Sequence, residues 1–262
     1  MSATLSLPLD VRLMNLVSQV LLLVLLVMAA GSLASWIGNH PAFAVRGVTV
    51  TGDTEHSNAV TLRANITPQL RGTFLSIDLA AVRQVFETMP WVRRAVVQRE
   101  FPNRLKVTLQ EHRAVAFWGS ESDSSLVNSH GEVFEANVGE VEQEVLPRLH
   151  GPREQSAQVL AVYRALAPLF AELDLTLEEL TLTGRGDWQA RLDNGGAVAL
   201  GRGTPDDVTA RTHRFLKTLT QVTSRQGRTP AALEVADLRH NEGYALRLRG
   251  VSTVEQQAVT RK

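Results

Sequence analysis

LGRGTPDD, residues 200 to 207, places two glycines between an apolar run and the start of a helical one. In that position backbone N–H groups can cradle a phosphate at a helix N-terminus. The likeness stops there, because Asp206 stands where a dinucleotide loop needs its third glycine and no G-K-[ST] follows. The histidines, His40, His56, His112, His130, His150, His213 and His240, include no pair three or four residues apart, and H-E-x-x-H does not occur. The chain has no cysteine, which excludes disulfides, thiolate zinc sites and cysteine nucleophiles. Neither G-x-S-x-G nor S-x-x-K occurs. These residue types imply a protein that binds rather than one that catalyses, with no catalytic residue, cofactor or metal expected.

Charge narrows the choice of partner. The 262 residues carry 27 Lys and Arg against 27 Asp and Glu, so a general nucleic-acid coat is not expected. The stretch from Pro90 to Arg113 is locally basic, with Arg93, Arg94, Arg99, Arg104, Lys106 and Arg113 against Glu100 and Glu111. No aromatics interleave as stacking platforms for bases. The cations read as the solvated face of a small sheet, with contact to an acidic partner or to lipid headgroups as the alternative.

The elements that position these residues begin with a membrane span. Leu13 to Asn39 contains no charged residue, and about 20 apolar residues in a helix cross a bilayer core. Ala42 and Ala44 in HPAFAV offer a signal-peptidase site, but the apolar run exceeds the roughly 7 to 15 residues of a signal h-region. An uncleaved anchor is expected, with Trp36 at the interface. Arg12 before the span and Arg46 after it leave the positive-inside rule tied.

Beyond the anchor, FAVRGVTVTG alternates as a strand that stops at Gly52. A first helix is expected after Ser57 or Asn58, with Leu62 and Ile66 on one face and Pro68 at its end. Asp78 caps a second, whose stripe is Leu79, Val82, Val85, Phe86 and Met89. Ala95 and Val97, the turn FPN, and the alternation of Leu105, Val107 and Leu109 then predict a hairpin.

The remainder reads as a second domain of strands and helices. AVAFW, SSLVNSHGEVFE and LPRL give short strands, with NSHG a turn. The helix from Ser156 should kink or split at Pro168. Three strands follow, and Asp193 to Gly196, DNGG, is the strongest hairpin signal, Asn and Gly both accepting positive φ. Thr204, Pro205 and Asp207 open a helix through a shortened capping box, with Val208, Thr212, Phe215, Leu219 and Val222 on one face. LEVADLR and YALRLR form a closing hairpin around HNEG. In its last strand Tyr244, Leu246 and Leu248 share one face, with Ala245, Arg247 and Arg249 on the other. As an edge it can accept another chain's strand; the alternative is an edge protected by Arg247 and Arg249.

The order strand, helix, helix, strand, strand over residues 44–113 resembles a POTRA domain. Behind a single anchor come GTFLSIDL, PWVRRAVVQREFPNRLKVTLQEHRAVAFW, LPRLHGP, LGRG and DLRHNEGYALRL, in that order. With them the chain resembles the bacterial cell-division family FtsQ of the proteobacterial type, from Leu13 to Leu248. The fold class expected is α+β. A short cytoplasmic tail (1–12) and a transmembrane helix (13–39) precede a POTRA domain (44–113) of β-α-α-β-β order. A mixed α/β domain on an antiparallel-rich sheet (114–251) and a disordered tail (252–262) complete the chain.

The resemblance implies a non-enzymatic bitopic scaffold of the divisome, linking early and late division proteins. It implies an inner-membrane location at the septum, with the N-terminus cytoplasmic and both domains periplasmic. FtsB and FtsL homologues are the implied partners, FtsB adding a strand to the last strand of the chain, and other divisome proteins are met through the POTRA domain. Carried onto this sequence, the FtsB site comprises Arg239, Gly243 and Tyr244 to Leu248, including Leu246, with Arg185 an ion-pairing companion. His240 and Glu242, where relatives often carry tyrosine and serine, belong to the same surface. The alternative is a POTRA-type periplasmic chaperone of outer-membrane protein assembly or secretion, a class with a cleaved signal and tandem modules or a barrel, whereas one such module is read here.

Overall fold

A computed structural model describes residues 9–38, 40–56, 72–141, 145–240 and 243–251 of the chain. Two compact units, Met1–Glu111 and His112–Lys262, make up the molecule. The class is α+β, with one candidate transmembrane helix.

Helix α1 (Leu9–Gly38) begins four residues before the expected span, and Asn39 lies outside the described residues. Its part Leu13–Gly38 has a mean hydropathy of 2.5 and is the one helix among the described residues long and apolar enough to cross a membrane. At about 1.5 Å per residue those residues extend roughly 39 Å, more than the ~30 Å of a hydrocarbon core. Its leucines and valines are exposed all round, a surface with no protein to cover it.

In the first unit, strict alternation along β3 (Arg104–Glu111) buries Leu105, Val107 and Leu109 and exposes Lys106, Thr108 and Gln110. That strand is central: β1 (Gly47–Gly52) lies parallel on one side and β2 (Val92–Glu100) antiparallel on the other. Helix α2 (Leu79–Glu87) is capped by Asp78, whose carboxylate accepts the N–H groups of Ala80 at 2.8 Å and Ala81 at 3.2 Å. It packs Val82 and Phe86 on the buried strand residues. The expected helix of Leu62 and Ile66 falls outside the described residues. Arg94, Arg104 and Lys106 are exposed, as a solvated face requires. Arg99 differs: it donates from Nε to Phe74 O at 2.7 Å and from Nη2 to Ile77 O at 2.8 Å, holding the loop before α2.

The second unit is one mixed sheet of nine strands with helices α3 (Ser156–Ala171) and α4 (Pro205–Arg225) packed together against it. The strands are β4 (Ala114–Trp118), β5 (Ser125–Asn128), β6 (Val133–Glu135), β7 (Arg148–His150), β8 (Leu177–Leu182), β9 (Asp187–Leu192), β10 (Ala197–Arg202), β11 (Leu233–Asp237) and β12 (Ala245–Leu248). Their order in space is β12-β11-β10-β9-β8-β7-β4-β5-β6. Three neighbouring pairs are parallel, β10 with β11, β4 with β7 and β7 with β8, and the others are antiparallel.

Three local expectations change. Helix α3 runs unbroken through Pro168, because the proline lies in the last turn on the exposed side, while Leu166 and Phe170 are fully buried and keep the turn docked. In DNGG only Gly195 has positive φ, at 77°, and Asn194 does not. Gly195 N–H bonds Leu192 O and Leu192 N–H bonds Gly196 O, a three-residue loop with a glycine bulge instead of a two-residue turn. On α4 the buried position after Leu219 is Thr223, not Val222; its hydroxyl donates to Leu219 O at 2.9 Å and so enters the core satisfied. The capping box at Thr204 and Asp207 is complete, with an aspartate in the role usually taken by Glu or Gln, a motif worth about 1 kcal/mol.

Candidate functional site

Both ends of the nine-stranded sheet expose an edge, and they are treated differently. At one end β6 has three residues, and Arg153 donates from Nη2 to Val133 O while pairing with Glu135 at 3.7 Å, so the edge is short and covered. At the other, β12 pairs with β11 on its inner side through Ala236↔Leu246 and Asp237↔Ala245, and no described strand lies beyond it. Every second residue of such a strand turns its N–H and C=O outward. The two arginines that could have guarded this edge are engaged by the body of the sheet: Arg247 pairs with Glu234 at 3.0 Å, and Arg249 donates to Asn194 O in the β9–β10 turn.

The first unit's edge strand β2 is guarded in another way. The Glu87 carboxylate on α2 accepts the N–H of Ala95 at 3.2 Å and is itself paired with Arg83 at 3.8 Å. An incoming strand at that position must displace a carboxylate.

Tyr244 fixes the start of β12. Its ring meets Phe215 of α4 edge to face, centroids 4.9 Å apart, and its hydroxyl shares a 2.7 Å hydrogen bond with Thr218. Leu248 is buried and Leu246 half-buried on the same side, while Ala245 and Arg247 face solvent. Beside the strand, a cleft of about 240 Å³ lies between α4 and the segment after β11, lined by Arg211, Arg214, Phe215, His240, Gly243 and Tyr244 among others. Two guanidinium groups, an imidazole and two aromatic rings suit an acidic or aromatic side chain.

The same end of the sheet gathers further arginines, because β8 and β10 finish there and β9 starts there. Arg185 is exposed in the β8–β9 turn. Arg202 grips Asp187 through Nε at 3.0 Å and Nη2 at 3.3 Å. Arg239 grips Asp237 through Nε at 2.9 Å and Nη2 at 2.5 Å, and its backbone N–H adds a third bond at 3.0 Å. Gly201, at φ 82°, makes room: a Cβ there would stand 3.1 Å from Arg211 Nη1 and 3.2 Å from Arg239 Cγ. LGRG is therefore a packing motif that seats two arginines.

Of the residues expected from sequence, the structure brings His240, Gly243 and Tyr244 to one cleft and Leu246 and Leu248 to the adjoining strand. Arg239 stands beside them, already paired, and Arg185 shares the sheet end. Glu242 lies outside the described residues. Sequence reading missed Asp237, Arg211 and Thr218; only the Asp237–Arg239 spacing of two could have signalled any of them.

The hydrogen bonds from Arg239 hold the Asp237 carboxyl down to about 2. For a depressed carboxyl the stabilisation is present above the ordinary value near 4 and is lost as the pH falls through about 2. Followed by carbon NMR, Asp237 is expected to remain ionised at about pH 3 in the native chain and to titrate in the ordinary range in Arg239→Ala.

Among the described residues no three His, Asp or Glu side chains are grouped to hold a metal ion. The site can bind through an open backbone edge, a basic and aromatic cleft and a rim of paired charges.

Comparison with known proteins places this architecture. The family described as Cell division protein FtsQ/DivIB, C-terminal, matches residues 116–239, and the POTRA domain, FtsQ-type, matches residues 43–112. A protein named Cell division protein FtsQ from Burkholderia pseudomallei is 41% identical, over 92% of this chain and 94% of that one. The chain belongs to the FtsQ family. The FtsQ of Thiomonas arsenitoxydans is 39% identical over 93% of this chain and 89% of its own, and that of Bordetella pertussis 35% over 91% and 92%. The FtsQ-type POTRA match covers the three-stranded sheet of the first unit, and the C-terminal match takes in the α4 side of the cleft and ends at Arg239, before His240, Gly243 and β12.

Proposed function

We propose that this member of the FtsQ family is a non-enzymatic, single-pass scaffold of the division complex, which captures FtsB, paired with FtsL, by adding a strand of FtsB to β12. The observation that carries this reading is the open outer side of β12, with its two nearby arginines engaged elsewhere. Backbone pairing supplies affinity and the adjoining cleft selects side chains. In this reading residues 1–12 face the cytoplasm, both units face the periplasm, and the anchor confines chain and partner to one membrane at the septum, raising their effective concentration. The POTRA unit meets other division proteins. Strand capture at β2, one of the two edges of the first unit's sheet, is disfavoured by Glu87 on the Ala95 N–H.

The test is a titration of the full chain in nanodiscs with the periplasmic part of the FtsB homologue, alone and with FtsL. Saturable binding is expected. Because the native chain has no cysteine, A245C supplies a single thiol, expected to crosslink to FtsB residues at a spacing of two. Absence of binding by the folded chain would remove the capture role.

A further inference from the structure

Beyond the anchor, the large apolar side chains left exposed among the described residues are Phe43, Leu75, Val96, Phe101, Val145 and Val235. Phe43, Leu75 and Phe101 converge on one end of the first unit. Phe74 N–H donates to Phe43 O at 2.6 Å, which brings the Leu75 loop beside Phe43, and Arg99 locks that loop. Arg46 N–H donates to Asn103 O at 2.9 Å, which brings in the β2–β3 turn and Phe101 at its tip, 86% exposed. A turn tip normally carries polar or small residues, so a bare Phe-Pro pair there asks for an apolar contact.

This is also the end nearest the membrane span. The Thr73 hydroxyl donates to the carbonyl of Gly38, the last residue of α1. From Gly38 to Arg46 the chain can reach only roughly 28 Å fully extended, and the short helix Pro41–Phe43 shortens that path. Arg46 and Arg104 are exposed at this end and form no ion pair with a described residue. Of the acidic groups nearby, Asp78 caps α2, and Glu100 sits opposite Arg104 in the β2–β3 register and accepts from Thr49.

We infer that this end of the first unit docks on the anionic lipid surface of the bilayer that α1 crosses, with the Phe101 ring among the headgroups and Arg46 and Arg104 on their phosphates. Aromatic rings favour the headgroup level, guanidinium groups bind phosphate by paired hydrogen bonds, and a lipid surface is always within reach of so short a tether. The docking rests on the reading of α1 as a membrane span, so the test must report both.

A cysteine-free chain allows this directly. Full chains carrying L75C, V145C or L26C, each labelled with an environment-sensitive fluorophore, are reconstituted in phosphatidylcholine vesicles with or without phosphatidylglycerol, and quenched by doxyl lipids. The label at 26 is expected to be quenched in both. The label at 75 is expected to be quenched several-fold more than that at 145, more strongly with phosphatidylglycerol, and to fall to the level at 145 when Phe101→Ser or Arg46→Glu with Arg104→Glu is added. Equal quenching at 75 and 145, with 26 quenched, overturns the docking alone; an unquenched 26 overturns the span and the docking with it. Quenching at 75 that ignores both lipid charge and the arginine substitutions overturns the assignment to anionic lipid.

Discussion

Replacing Tyr244 by glutamate is expected to weaken the proposed capture of FtsB by about a hundredfold or more, the size of loss seen when an anchoring aromatic is removed from an interface. The cause lies in how β12 is held. Its four residues have one strand partner, and the ring of Tyr244 on Phe215 with the hydroxyl on Thr218 fastens the strand's first turn of chain to α4. Glutamate surrenders both contacts, so the partner must order β12 as it binds, and that entropy comes out of the affinity. Tyr244→Phe separates the two contributions. It keeps the ring and loses one hydrogen bond, about 1 kcal/mol, and should bind within roughly tenfold of the native chain. Calorimetry on both variants shows whether the second unit remains folded. Native affinity in a folded Tyr244→Glu chain would take β12 out of the site.

What the sequence discloses about this site depends on how far apart its parts lie. The alternation in Tyr244 to Leu248 and the capping box at Thr204 are complete within a few residues, and both were legible. That β12 is an edge was not, because its place depends on the β10–β11 parallel pairing, which joins Ala197 to Val235 across the whole of α4. The family resemblance puts Arg239 in the partner site, yet its commitment to Asp237 depends on rotamers that no pattern encodes. The pattern around Pro168 does not show an unbroken helix, because a proline's effect depends on its distance to the helix end, and DNGG does not fix the φ of Asn194, because loop length, not residue type, selects the turn. The apolar end of the first unit escaped notice for a similar reason: Phe43, Leu75 and Phe101 belong to three segments that only the folded sheet brings together.

Phe86→Ala is expected to unfold the first unit under conditions that leave the second intact. The core of the first unit is small, with Phe86, Val82 and Ile77 set against Val92, Ala95 and the three buried residues of β3, and Phe86 is its largest member at 1% exposure. Truncating a buried phenylalanine costs about 3–5 kcal/mol, against a total of about 5–15 kcal/mol for a folded domain and less for a small one. The corresponding fall in Tm is roughly 15 °C or more for a unit of this size. The second unit has its own core around Trp188, Phe170 and Phe215, which shares no residue with the first. Scanning calorimetry of the full chain should therefore show one transition moving and one staying, with the reverse in Phe170→Ala. A single transition that moves as a whole would mean that the units stabilise each other. The same variant divides the functions proposed for the two units: with β12 and its cleft undisturbed, FtsB titration should be unchanged in Phe86→Ala, while contacts that depend on the POTRA fold are lost.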